Sequence, residues 1–135
     1  NVEACSFTEN TGSYGSAIYL GSSLKIYDYK TSTIKSTTFS KNNATSSGTL
    51  SFLFASGIFN IENCEFTSNI GRVASGIYLE TASESDLITC KTFMKTTKFT
   101  SNSGAAVLYM TNSDVYSHIE TDSCTFSSNT GIPVW

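Results

Sequence analysis

His118, Glu120 and Asp122 alternate along the chain, so on an extended strand their side chains leave the same face. An imidazole beside two carboxylates is a minimal set for general acid–base work. The set stops there. No nucleophile is specified with it, Ile119 and Thr121 face the other way, and a solvated outer face is the plainer reading. Glu84-Ser85-Asp86 sits in a polar connector, Thr81 to Asp86, and offers at most a weak Ca²⁺ site. Arg72 is the one arginine, and no acidic cluster neighbours it in sequence. Glycoside hydrolysis needs clustered carboxylates, and most acids here are expected to be matched with lysine. The chain carries no phosphate loop, no metal-spaced His/Cys set and no nucleophile elbow. No catalytic residue, metal site or cofactor is implied.

What positions these groups is a repeat. The pattern Phe-(Ser/Thr)-x-Asn occurs five times, from Phe7, Phe39, Phe66, Phe99 and Phe126, with Asn10, Asn42, Asn69, Asn102 and Asn129 three residues later. Four of the five continue as Asn-x-Gly, a segment expected to turn. Spacings between the Phe anchors run 32, 27, 33 and 27 residues. The residue two before each Phe alternates in step: Cys5, Thr37, Cys64, Thr97, Cys124. A duplicated two-rung unit explains both alternations. Each rung holds three short β-rich runs, the third being Ala17–Leu20, Leu50–Phe52, Gly76–Leu79 and Val107–Met110 in successive rungs. No segment sustains a 3.6-residue apolar period. The predicted fold is all-β: a right-handed single-stranded parallel β-helix over residues 1–135, with about five rungs of 27–33 residues, the last incomplete.

Stacked rungs turn sequence positions into columns. The five Phe residues should form a core stack. The five Asn residues should form an amide ladder at a turn where the Asn tolerates left-handed geometry. Cys5, Cys64 and Cys124 should point inward as buried thiols. Two rungs separate them, roughly 9.6 Å, which is too far for a disulfide. Cys90 lies in the connector before the fourth rung, where a bond to Cys64 or Cys124 is open. Four residues before each Phe stand Glu3, Lys35, Glu62, Lys95 and Asp122, with the sign alternating at every rung. Two further pairs, Glu65 beside Lys98 and Glu9 beside Lys41, follow the same logic. Exposed pairs contribute roughly 0–1 kcal/mol each, so their value lies in fixing register. After each Phe comes a hydroxyl: Thr8, Ser40, Thr67, Thr100, Ser127.

Composition fits a stacked β-structure with hydroxyl-rich faces. Charged residues are 14% of the chain, apolar ones 39%, and 42 residues are Ser or Thr. With seven lysines, one arginine and a net charge of −3, there is no basic stripe for nucleic acid. No apolar run reaches membrane-spanning length. Asn43-Ala44-Thr45 is the one N-glycosylation sequon, placed in a turn, and so Asn43 is the expected acceptor if the protein is secreted by a eukaryote.

On these motifs the chain resembles the parallel β-helix repeats of the polymorphic outer-membrane protein family, which carry Phe-x-x-Asn and Gly-Gly-Ala-Ile. It also resembles similar repeats in protist surface proteins. The second motif survives as Gly15-Ser16-Ala17-Ile18, Ser75-Gly76-Ile77 and Gly104-Ala105-Ala106-Val107, and is weakest at Gly48-Thr49-Leu50. The resemblance implies elongated, secreted, adhesive stalks. Neither end reads as capped. Self-association or continuation of the solenoid is therefore expected at both, with the neighbouring rung carrying Lys in the alternating column. The expected function is a structural extracellular or cell-surface solenoid, as a stalk, fibril or adhesin segment with a Ser/Thr-rich, glycosylated surface. The alternative is a carbohydrate-binding or carbohydrate-degrading β-helix module.

Overall fold

The computed structural model describes residues 1–21, 31–53, 57–80, 90–111 and 118–135. Every element in them is a strand. The first rung holds β1 (Val2–Glu3), β2 (Ser6–Thr8), β3 (Thr11–Gly12) and β4 (Gly15–Gly21). The second holds β5 (Thr31–Lys35), β6 (Thr38–Ser40), β7 (Asn43–Ala44) and β8 (Gly48–Leu53). The third holds β9 (Gly57–Glu62), β10 (Glu65–Thr67), β11 (Ile70–Gly71) and β12 (Ala74–Glu80). The fourth holds β13 (Cys90–Lys95), β14 (Lys98–Thr100) and β15 (Ser103–Thr111), and the fifth β16 (His118–Asp122), β17 (Thr125–Ser127) and β18 (Thr130–Val134).

These strands form three parallel sheets wound as a β-solenoid. The first sheet runs β1-β5-β9-β13-β16 and the second β2-β6-β10-β14-β17. The third joins β3-β7-β11-β15-β12-β8-β4, with β18 on β15. Strand β15 does in one piece what β11 and β12 do in two, so it pairs with both. A register shift lies between Ala74 and Ile77 where the split strands meet β15.

Winding brings residues one turn apart into register, and this fills the interior with like on like. Phe7, Phe39, Phe66, Phe99 and Phe126 stack with ring centroids 5.2, 4.6, 4.7 and 5.0 Å apart. Such pairs contribute about 0.5–1.5 kcal/mol each beyond their burial. The middle three are fully buried, while Phe7 and Phe126 are only partly covered, since each end ring has one neighbour. Ile34, Ile61 and Met94 line the first sheet, and Leu50, Ile77 and Leu108 the third.

Among the described residues, two corners per turn carry left-handed backbone, and the residue that bends is not the one expected. Positive φ falls on Ala4, Ser36, Asn63, Thr96 and Ser123 at the first corner, and on Glu9, Lys41, Ser68, Ser101 and Ser128 at the second. The ladder Asn follows the second corner and has no positive φ. The Asn-x-Gly segments do not turn either: Thr11–Gly12 and Ile70–Gly71 are strands. Glycine is required at Gly71 because a Cβ there would run into the Ala74 carbonyl.

Candidate functional site

The Asn ladder is the most fully satisfied group of side chains. Asn69 Nδ2 donates to Phe39 O at 2.9 Å and to Asn102 Oδ1 at 3.0 Å. Its Oδ1 accepts from the N–H and Nδ2 of Asn42, both at 3.0 Å. Asn42 and Asn102 bond in the same way to Phe7 O and Phe66 O. Asn129 reaches Phe99 O at 2.9 Å, and Asn10 donates to Asn42 Oδ1. Phe-x-x-Asn is therefore one device: the ring fills the core and its carbonyl accepts the amide one turn later.

The Cys/Thr column closes the other corner. Each member donates its SH or OH to the carbonyl two residues back, Thr37 to Lys35 O at 2.9 Å and Cys64 to Glu62 O at 3.3 Å. The Cys5 and Cys64 N–H groups also reach the Thr37 and Thr97 hydroxyls one rung on, long at 3.4 Å. Three buried thiols were expected, but Cys64 alone is buried; Cys5 is exposed and Cys124 partly so. All three share a column, but burial comes from the rungs above and below, and the end rungs have one only. Burial raises the Cys64 thiol above its ordinary pKa. Cys64 and Cys124 are free thiols, and the Cys90 side chain lies outside the described residues. Cys90 opens β13 opposite Gly57 rather than lying in a connector.

The charged column is in register throughout: Glu3 beside Lys35, Lys35 beside Glu62, Glu62 beside Lys95, Lys95 beside Asp122. Glu65 lies beside Lys98. Among the described residues, Lys41 Nζ to Glu9 Oε1, at 3.3 Å, is the one ion pair within 4.0 Å. The lysines of the main column neighbour the acids without closing on them. The hydroxyl column is in register throughout, and two of its four steps are hydrogen-bonded, Thr8 to Ser40 at 3.1 Å and Thr100 to Ser127 at 3.3 Å.

The residues that suggested acid–base chemistry meet an aromatic ring, lysines and a serine hydroxyl. His118 packs edge-on to Phe93, ring centroids 5.9 Å apart. In register with His118, Glu120 and Asp122 stand Lys91, Phe93 and Lys95, so on the β13 side no second carboxylate faces them among the described residues. Arg72 is exposed after β11, and Glu84-Ser85-Asp86 lies outside the described residues. Among the described residues no three His, Cys, Asp or Glu gather as a metal site. Asn43 and Thr45 are exposed, with Asn43 in β7 instead of a turn.

Sequence reasoning missed an outer aromatic column on the third sheet. Tyr19, Ser51, Tyr78 and Tyr109 are in register. Tyr78 and Tyr109 stack at 5.5 Å and 3°, and Trp135 tilts onto Tyr109 at 5.7 Å. Tyr78 donates to Glu80 Oε2 at 3.0 Å; burial first, and then that carboxylate, push its phenol up to about 12. Tyr19 and Tyr78 are 59 residues apart, the length of the duplicated unit, and that spacing was the available signal.

The last strand leaves apolar side chains uncovered. Ile132, Val134 and Trp135 are 44%, 51% and 64% exposed. A cavity of about 150 Å³ is lined by residues of the first three rungs, among them Val2, Ile34, Phe52 and Phe59. No protein-family model, curated protein or solved structure matches the sequence.

Proposed function

We propose that this chain is a structural segment of an extracellular or cell-surface solenoid, part of a stalk, fibril or adhesin, whose ends take further β-rungs. The observation that carries the reading is the contrast between interior and ends. The ladder and core columns run unbroken through the middle rungs and stop at faces that leave apolar side chains and strand edges uncovered. Uncovered strand edges favour pairing with another strand. The resemblance to outer-membrane and protist repeats supports the same role. Glycosylation at Asn43 belongs to this proposal. Asn43 stands in register with Ile70, an exposed apolar residue that an attached sugar would shade.

The test is the intact mass of the polypeptide from its native source, before and after enzymatic removal of sugars. The expected result is a mass well above 14.6 kDa that falls on deglycosylation. A bare 14.6 kDa species that sediments as a single copy would overturn the proposal.

A second reading is carbohydrate binding, for which the outward tyrosines would be the contact residues. Sugar stacking needs open ring faces, and Tyr78 and Tyr109 turn theirs toward each other. Retention on polysaccharide gels that is lost in Tyr109→Ala would favour this second reading.

A further inference from the structure

The two corners give the solenoid a direction. At each corner the left-handed residue donates its N–H to a carbonyl of the following rung: Thr96 to Asp122 O at 2.9 Å, Ser101 to Ser127 O at 3.0 Å. The equivalent donors of the fifth rung, Ser123 and Ser128, lie on its outer edge, because β16 and β17 are the last strands of their sheets. The C-terminal face thus offers N–H groups and a half-covered Phe126 to whatever strand is laid on it. Any rung of this pattern can answer those groups. Two columns are more selective. Asp122 has Lys95 on its inner side, in a column whose sign changes at every step. Cys124 occupies the place from which Cys5 and Cys64 give their N–H to a threonine one rung on.

Resting on the proposal that rungs dock at the ends, we infer that the C-terminal face is a selective dock for a β-rung with lysine four residues before its Phe and threonine two before it. The N-terminal face of an identical copy does not fit. It brings Glu3 against Asp122, and Cys5, whose sulfur is a weak acceptor, against Cys124. The occupant is a rung of the Lys/Thr kind, as in Lys35–Thr37 and Lys95–Thr97.

The chain can be turned into its own probe. Glu3→Lys with Cys5→Thr gives the first rung the required chemistry at two exposed positions. Repulsion between the new lysine and Lys35 is present in free and stacked copies alike, so it cancels in association. Sedimentation at low salt should show the double variant self-associating about two- to thirtyfold more tightly than the original chain, the range expected from reversing one cross-strand charge pair. Added salt should weaken the association, and Asp122→Lys in the same chain should remove its charge-dependent part and leave what the threonine adds. Equal association of the original and the double variant, or a gain undiminished by Asp122→Lys, would overturn the selectivity while leaving end docking intact. No self-association of any variant at millimolar concentration, with circular dichroism unchanged, would overturn end docking and the selectivity together.

Discussion

Asn69 is the place to test whether the amide ladder holds the rungs together. Its side chain makes four hydrogen bonds and is fully buried. Truncation to Ala takes the acceptor from the buried Asn42 N–H and a donor from the Phe39 carbonyl. Asn102 Oδ1 keeps the Asn69 N–H, and Asn42 Nδ2 keeps Phe7 O. Leaving one buried donor unmet costs about 1–3 kcal/mol, and the weakened carbonyl about 1 more. With the small cavity added, Asn69→Ala should lose about 3–5 kcal/mol. At the end of the same ladder Asn10 is exposed, and Asn42 Oδ1 keeps the Asn10 N–H, so Asn10→Ala should lose less than about 1 kcal/mol. Asn69→Asp separates hydrogen bonding from volume. Its second oxygen would face two acceptors, Phe39 O and Asn102 Oδ1, so the loss should at least match that of Ala at neutral pH. It should shrink in acid as the carboxyl gains a proton to donate. Urea unfolding by circular dichroism measures the losses, and exchange of the Asn42 amide reports the orphaned donor directly. The reasoning fails if Asn69→Ala costs no more than Asn10→Ala, or if Asn69→Asp is within 1 kcal/mol of the parent.

Four further outcomes are expected. Thr92 is fully buried between Phe59 and Ile119 with no partner for its hydroxyl, so Thr92→Val should raise stability by about 1 kcal/mol in urea unfolding. Thr96 is exposed at φ 49° where Asn63 sits one rung earlier at φ 52°, so Thr96→Asn should gain about 0.5–1 kcal/mol by relieving the left-handed conformation, read as a higher melting temperature. An alkaline ultraviolet titration should show a tyrosine step near 12, above the ordinary value of 10.0, and Tyr78→Phe should remove that step. Because the folded phenol is raised, its contribution to stability is complete below the ordinary value of 10.0 and is lost as pH climbs through about 12. Pulsed alkylation with mass mapping should label Cys5 and Cys124 in the folded protein and Cys64 only on unfolding, because burial both shields that thiol and raises it.

The legible parts of this fold are those where one residue type must recur at one place. Phe at the core stack, Asn at the ladder and alternating charge at Glu3, Lys35, Glu62, Lys95 and Asp122 all announce their register in sequence. The corners do not. Left-handed backbone falls on Ala4, Glu9, Lys41 and Thr96, residues that carry no preference for it, because the tight bend and the N–H bond to the next rung impose the conformation. The Asn-x-Gly segments misled for the opposite reason: glycine commonly marks a turn, whereas Gly71 marks a close approach to a carbonyl. Cys5 and Cys124 show the third limit. Side-chain direction can be read from alternation, but burial in a solenoid depends on whether another rung lies on top.

The same columns explain why function is harder to read than fold. Catalysis needs unmatched groups converging on one point, and a stacked repeat spreads its groups along lines. Here the acids of the main column each stand beside lysine, the hydroxyls beside hydroxyls and the amides beside amides. A group whose neighbour one rung away is its complement has its interactions spent on register. Such a chain can be specific only where a column ends or is interrupted. Ser51 interrupts the outer tyrosines between Tyr19 and Tyr78, and it is fully buried, its hydroxyl bonded to Tyr14 O at 2.7 Å. That break is sealed from within. The selectivity proposed above therefore rests on the pairing chemistry of Asp122 and Cys124.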